Sequence, residues 1–152
     1  MAKLQAGDSA PEFILTDQNC NSVTLSEFRG KKVLLYFYPR AMTPGCTVQA
    51  CSIRDAKEEL LEQGVIGIGI SPDPVARLKK FEGTQELNFV LLSDPDHKTA
   101  EDYGAWDTKS LYGKLITGIV RSSFLIGEDG KIIAAWYKIS PQDTIPKVLE
   151  SL

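Results

Sequence analysis

Three cysteines and a single histidine bound the chemistry open to this chain of 152 residues. One His leaves little room for a His-based metal centre, which draws on several ligands. It also confines imidazole-assisted nucleophilic catalysis to His97. The chemistry points to sulfur instead. Cys46 ends the string Pro39-Arg-Ala-Met-Thr-Pro-Gly-Cys46, Cys51 follows five residues later, and Cys20 stands apart. An odd cysteine count excludes a fully paired disulfide scaffold. A chain of this length buries a core that does not need one.

Cys46 sits where a buried strand gives way to a helix. Thr43 is a natural N-cap and Pro44 suits the first helical position. Counting on, Gly45 is N2 and Cys46 is N3. The backbone N–H groups of a first turn are unpaired and the helix dipole is positive there, and both favour thiolate over thiol. Gly45 keeps the approach to the sulfur narrow and lets a small substrate reach the backbone amides. A bland alternative, one more inert buried cysteine, fits Cys46 less well than a reactive thiol does. Thr43 can serve as a pure cap as well as a functional hydroxyl.

Cys51 leaves two readings open. On a regular helix five residues rise about 7.5 Å and turn about 500°. The two Cα atoms would stand roughly 8–9 Å apart on nearly opposite sides, beyond disulfide reach. Either Cys51 packs into the core, or it pairs with Cys46 after the first turns unwind. The spacing is also not the C-x-x-C of dithiol exchange motifs.

The elements that must position these residues alternate along the chain. Val33–Tyr38 and Val65–Ile70 are continuous apolar, β-prone runs, and Phe89–Leu92 is a shorter one. Pro44 to about Gln63 reads as a helix, with Ile53, Ala56 and Leu60 at helical spacing and Gly64 as its stop. Asp73-Pro74 reads as an N-cap and first-turn Pro for a helix carrying Val75, Leu78 and Phe81. Alternating strands and helices imply parallel βαβ units. The end of the chain differs. Arg121–Ile126 and Lys131–Tyr137 flank Gly127-Glu-Asp-Gly130, a hairpin signal. A final helix runs from about Asp143 to Leu152, with Pro146 in its first turn. Glu12–Thr16 and Ser22–Leu25 form a further β unit at the N-terminus. The expected architecture is one α/β domain over residues 1–152, a thioredoxin-like fold. Its mixed central sheet is flanked by helices and carries an N-terminal β-hairpin extension.

Composition removes other functions. The net charge is -3, and Lys31-Lys32 and Lys79-Lys80 are isolated pairs, so no nucleic acid partner is expected. The longest apolar runs are too short to span a bilayer. Met1 to Pro11 carries no apolar stretch of the signal-peptide kind. The expectation is a cytoplasmic monomer without membrane contact, in a compartment that keeps thiols reduced.

Pro39-x-x-x-Thr43-x-x-Cys46 resembles the peroxiredoxin active-site motif. The longer string from Tyr36 through Cys51 to Asp55 is similar to the bacterioferritin comigratory protein (peroxiredoxin Q) subfamily. The likeness extends to Gly7-Asp8-x-Ala10-Pro11-x-Phe13, Leu91-Leu-Ser-Asp94, Tyr103-Gly104-x-Trp106 and Arg121-Ser-Ser-Phe-Leu-Ile126. The resemblance implies a thiol peroxidase for hydrogen peroxide and organic hydroperoxides that needs no metal, haem or flavin. It implies Cys46 as the peroxidatic thiolate, Thr43 as the hydroxyl that bonds the peroxide, and Arg121 as the cation beside the sulfur. Pro39 would wall the pocket, with Gly45 in the substrate approach. Cys51 matches the resolving cysteine that some members carry in the same helix. The disulfide would be reduced by thioredoxin or a similar dithiol.

Two competing functions remain open at this level. One is a non-catalytic thioredoxin-fold redox sensor or holdase module. The other is a general dithiol–disulfide oxidoreductase, which the cysteine spacing and Arg121 argue against. Cys20 reads as an incidental exposed thiol and His97 as a surface loop residue. Tyr103, Trp106 and the run Tyr36-Phe-Tyr38 read as packing groups.

Overall fold

The apolar runs at Val33–Tyr38 and Val65–Ile70 form two neighbouring inner strands of a seven-stranded sheet. The computed structural model describes residues 3–152, and for Lys109 and Leu111 the backbone alone. In chain order the first elements are strands β1 (Ile14–Asp17), β2 (Ser22–Thr24) and β3 (Lys32–Phe37), then helices α1 (Pro44–Asp55) and α2 (Lys57–Glu62). Strand β4 (Val65–Ser71), helix α3 (Val75–Gln85), strand β5 (Val90–Ser93) and helix α4 (Lys98–Asp102) follow. Strands β6 (Trp106–Leu111), β7 (Lys114–Ile119), β8 (Ser122–Ile126) and β9 (Ile132–Tyr137) precede the closing helix α5 (Thr144–Glu150).

The sheet order is β2-β1-β5-β4-β3-β8-β9. Strands β3, β4 and β5 are parallel, while β8 runs antiparallel to β3 and β9 antiparallel to β8. The mixed thioredoxin-like sheet is therefore as expected. The N-terminal hairpin is more than an extension. β1 pairs with β5 through Thr16 opposite Ser93, so the hairpin completes one edge of the sheet.

Strand β3 shows why its sequence is apolar throughout. Leu34 and Tyr36 join one core, with Ala50 and Ile53 of α1, Leu60 of α2, Phe81 of α3 and Val148 of α5. Val33, Leu35 and Phe37 join the other, with Ala100 of α4, Tyr103 and Phe124. Side chains alternate across a strand, so a strand covered on both faces reads as a continuous hydrophobic run. Strand β4 adds a shape requirement. A Cβ on Gly69 would come within 2.8 Å of the Tyr36 ring, so glycine lets the ring lie against the strand under α1.

Four local expectations change. The helix drawn from 44 to 63 breaks at Ala56, whose φ of -91° and ψ of 4° end α1 before α2 begins. Asp73 does not cap α3; Pro74 takes that position, and the Asp73 carboxylate is used elsewhere. Tyr38 is buried but lies past the end of β3. The hairpin β6–β7 was not expected at all. Thr117, Leu115 and Ile116 lie exposed on β7, so neither strand pattern nor burial marked it.

Candidate active site

The loop from Pro39 to Thr43 carries the chain from β3 into α1, and it is held at one peptide. Asp73, buried, accepts a hydrogen bond from the Ala41 N–H at 2.6 Å and another from the Ser71 hydroxyl at 2.8 Å. Arg77 pairs with Asp73 across 3.2 Å and donates to the Ala41 carbonyl at 2.8 Å. Both polar groups of a residue that is itself fully buried are therefore satisfied from α3 and the end of β4. This leaves Met42, at φ +68°, to make the sharp turn.

Thr43 occupies the N-cap position with extended backbone, and Pro44, Gly45 and Cys46 follow as the first three helical residues. That count agrees with the sequence. The Thr43 side chain does not cap, however. Its hydroxyl donates to the Arg40 carbonyl at 2.9 Å, while the Thr43 carbonyl accepts from the Thr47 N–H at 2.9 Å. The cap is thus a matter of backbone geometry, and the hydroxyl oxygen keeps acceptor capacity toward the loop.

Cys46 is 1% exposed, and Arg121 donates to its sulfur from Nη2 at 3.4 Å. Arg121 stands just before β8, so two segments distant in the chain meet at one sulfur. The same guanidinium donates from Nη1 to Gln49 Oε1 at 2.6 Å. Gln49 is fully buried one turn after Cys46, and its Nε2 donates to Thr144 Oγ1 at 2.9 Å. The sulfur therefore lies between a fixed cation and the unpaired amides of a helix start. Pro39 is exposed and shares with Arg121 a cleft of about 490 Å³ that reaches Thr108 and Ile119 of the β6–β7 hairpin.

Cys51 is half-buried on α1, and its sulfur meets Gln85 Oε1 at 3.5 Å. All three cysteines are free, with α1 intact between Cys46 and Cys51. Cys20 is exposed in a turn at φ +66°. Tyr36 places a buried hydroxyl without a hydrogen-bond partner in this core. Burial pushes its phenol well above the ordinary value, with Tyr38 and Cys46 acting in the same direction. It stays a neutral wall of the site.

The structure therefore brings Cys46, Gly45, Thr43, Arg121 and Pro39 together, and places Cys51 on the same helix out of bonding position. Gln49, Thr144 and the Asp73–Arg77 pair escaped the sequence reading. Gln49 carried a usable signal, since a residue three after Cys46 shares its helix face. His97 lies in the loop, as expected, at the position just before α4 with φ +51°, its ring stacked on Trp106 at 3.7 Å and bonded to Glu101 at 3.0 Å. Tyr103 packs as expected, fully buried, its hydroxyl donating to the Pro11 carbonyl at 2.7 Å. Among the described residues no cluster of His, Cys, Asp and Glu could hold a metal ion, and no helix is long and apolar enough to cross a membrane.

A family model described as the AhpC/TSA family matches residues 6–135. The putative peroxiredoxin bcp of Haemophilus influenzae is 49% identical over the whole of this chain and 98% of its own length. The peroxiredoxin Bcp of Escherichia coli is 54% identical over 87% of this chain and 85% of its own. Among solved structures, the peroxidoxin BcpB of Mycobacterium tuberculosis superposes with a TM-score of 0.87 at 35% identity, covering 97% of this chain and 96% of that one.

Proposed function

The chain belongs to the AhpC/TSA family of peroxiredoxins, and from that premise we propose that it reduces hydroperoxides with Cys46 as the nucleophile. The observation that carries this reading is the Arg121 Nη2 placed 3.4 Å from Cys46 Sγ at the N3 position of α1.

The Cys46 thiolate attacks the terminal oxygen of the hydroperoxide. An S–O bond forms, the O–O bond breaks, and the leaving oxygen takes a proton and departs as water or an alcohol. Cys46 becomes a sulfenic acid. Negative charge leaves the sulfur and grows on the departing oxygen during this step. Arg121 cannot lose its proton and presents several donors in a rigid plane, so one group can hold both partners. The Thr43 hydroxyl, still able to accept, faces the peroxide, and Gly45 leaves the amides open to it. Pro39 shields the sulfur's approach. No imidazole base takes part in an attack by a thiolate.

Cys51 then condenses with the sulfenic acid. An S–S bond forms and water leaves. Because α1 is helical from Pro44 to Asp55, its first turns must open before the sulfurs meet. A dithiol reductant, thioredoxin or one like it, restores both thiols by exchange. The cycle is that of an atypical two-cysteine peroxiredoxin working within one chain.

The test is peroxide consumption with a thioredoxin system for the wild type, Cys46→Ser and Cys51→Ser. Cys46→Ser is expected to be inactive. Cys51→Ser is expected to consume one equivalent and stop. Retained turnover in Cys46→Ser would overturn the assignment.

A further inference from the structure

We propose that Thr144 of the C-terminal helix is a positioning residue for the thiol site, fixing through Gln49 the direction in which Arg121 meets Cys46. The proposal deepens the peroxidase reading and rests on it for the role of Cys46.

The connection is an unbroken run of hydrogen bonds. Thr144 Oγ1 accepts from Gln49 Nε2 at 2.9 Å, Gln49 Oε1 accepts from Arg121 Nη1 at 2.6 Å, and Arg121 Nη2 donates to Cys46 Sγ at 3.4 Å. Gln49 and Thr144 are both fully buried, so water cannot replace either partner.

Donor and acceptor types set the direction of the run. Arginine only donates, so the amide oxygen of Gln49 must face it. The amide nitrogen is thereby turned toward residue 144, and that residue must offer an acceptor. A threonine hydroxyl does. With valine there, nearly the same shape remains, but a buried N–H loses its partner and is left unsatisfied. The amide recovers that loss only by rotating or moving, and either change withdraws its oxygen from Arg121.

A packing role does not account for the hydroxyl. Val148, one turn on, already buries α5 in the core, and an apolar residue would fill position 144 equally well. A second contact ties the same segment to the site. Pro141, in the turn before α5, lies 3.5 Å from where a Cβ on Gly45 would stand. The C-terminal segment thus touches the thiol helix at Gly45 and at Gln49, on either side of Cys46.

The test uses a Cys20→Ser, Cys51→Ser background, in which Cys46 is the only thiol. The ultraviolet absorbance of its thiolate is followed against pH with Thr144, Thr144→Val and Thr144→Ser. The midpoint is expected to move to higher pH in Thr144→Val and to return with Thr144→Ser. The rate of the first peroxide reaction is expected to fall roughly tenfold and to recover in the same pattern. The titration uses no peroxide, so it stands even where the peroxidase reading fails. A folded Thr144→Val whose titration overlays the parent would overturn the proposal. Thr144→Ala, which adds no atoms, carries the same test where valine does not fold.

Discussion

Arg121 Nη2 lies 3.3 Å from the point that a Cβ on Gly45 would occupy. The same nitrogen donates to Cys46 Sγ. The absence of a side chain at Gly45 is therefore the room in which the guanidinium lies. Glycine here serves the cation as much as the substrate, and it does so in an ordinary helical conformation.

Gly45→Ala should separate stability from activity. Alanine favours a helix over glycine by up to about 1 kcal/mol, so the melting temperature should hold or rise. The new methyl displaces Arg121 by a few tenths of an ångström. The first peroxide step, read by stopped-flow fluorescence, should slow by roughly tenfold or more. Unchanged rates would show that the guanidinium has other room.

Arg121→Lys keeps the charge and loses the fork. One ammonium cannot serve Gln49 and Cys46 with the geometry of two guanidinium nitrogens. The second-order rate with hydrogen peroxide should fall about 10²–10³-fold, the range found for loss of one fixed oxyanion donor. A loss below about threefold in that assay would count against a geometric role.

Asp73→Ala should weaken the fold and the site together. It removes the acceptor for the Ala41 N–H and leaves Arg77 without its carboxylate. The expected cost is about 2–3 kcal/mol by urea denaturation. Peroxidase activity should fall in the protein that remains folded, because the 39–43 loop positions Thr43. Full activity per folded molecule would confine Asp73 to stability.

Oxidation should melt part of a helix. Amide exchange in α1 should speed up around residues 44–52 when the Cys46–Cys51 disulfide forms, with β3 and β4 unchanged. Equal protection in the dithiol and a confirmed Cys46–Cys51 disulfide form would contradict the unwinding.

Asp94 gives a pH signature of stability. Burial pushes its carboxyl above the ordinary value, against the lowering effect of N–H donors from Ala100 and Thr99. The folded state therefore holds a proton that the unfolded chain has released. Its contribution is complete below the unfolded value and is lost as pH rises through the folded one. Compared with Asp94→Asn, the wild type should gain stability as pH falls into the carboxylate range. A pH-independent difference between the two in urea titrations would refute this.

What the sequence determined by itself was local. The buried strands, the βαβ order, the closing hairpin and the place of Cys46 at N3 all follow from patterns within a dozen residues. Chain stereochemistry and hydrophobic alternation act at that range. The pairing of Arg121 with Cys46 entered only through the family resemblance, because nothing near Arg121 distinguishes it from a surface arginine. Asp73 shows the limit clearly. Its neighbour Pro74 makes a good local cap signal, yet its carboxylate goes to Ala41 and Arg77, since a buried loop peptide needs partners more than an exposed helix start does. The β6–β7 hairpin is exposed, so no burial pattern marks it. The Gln49–Thr144 bond depends on how two helices meet over the sheet. Which donor faces which acceptor across elements was decided by packing alone, since it is packing that brings distant polar groups together and denies them water.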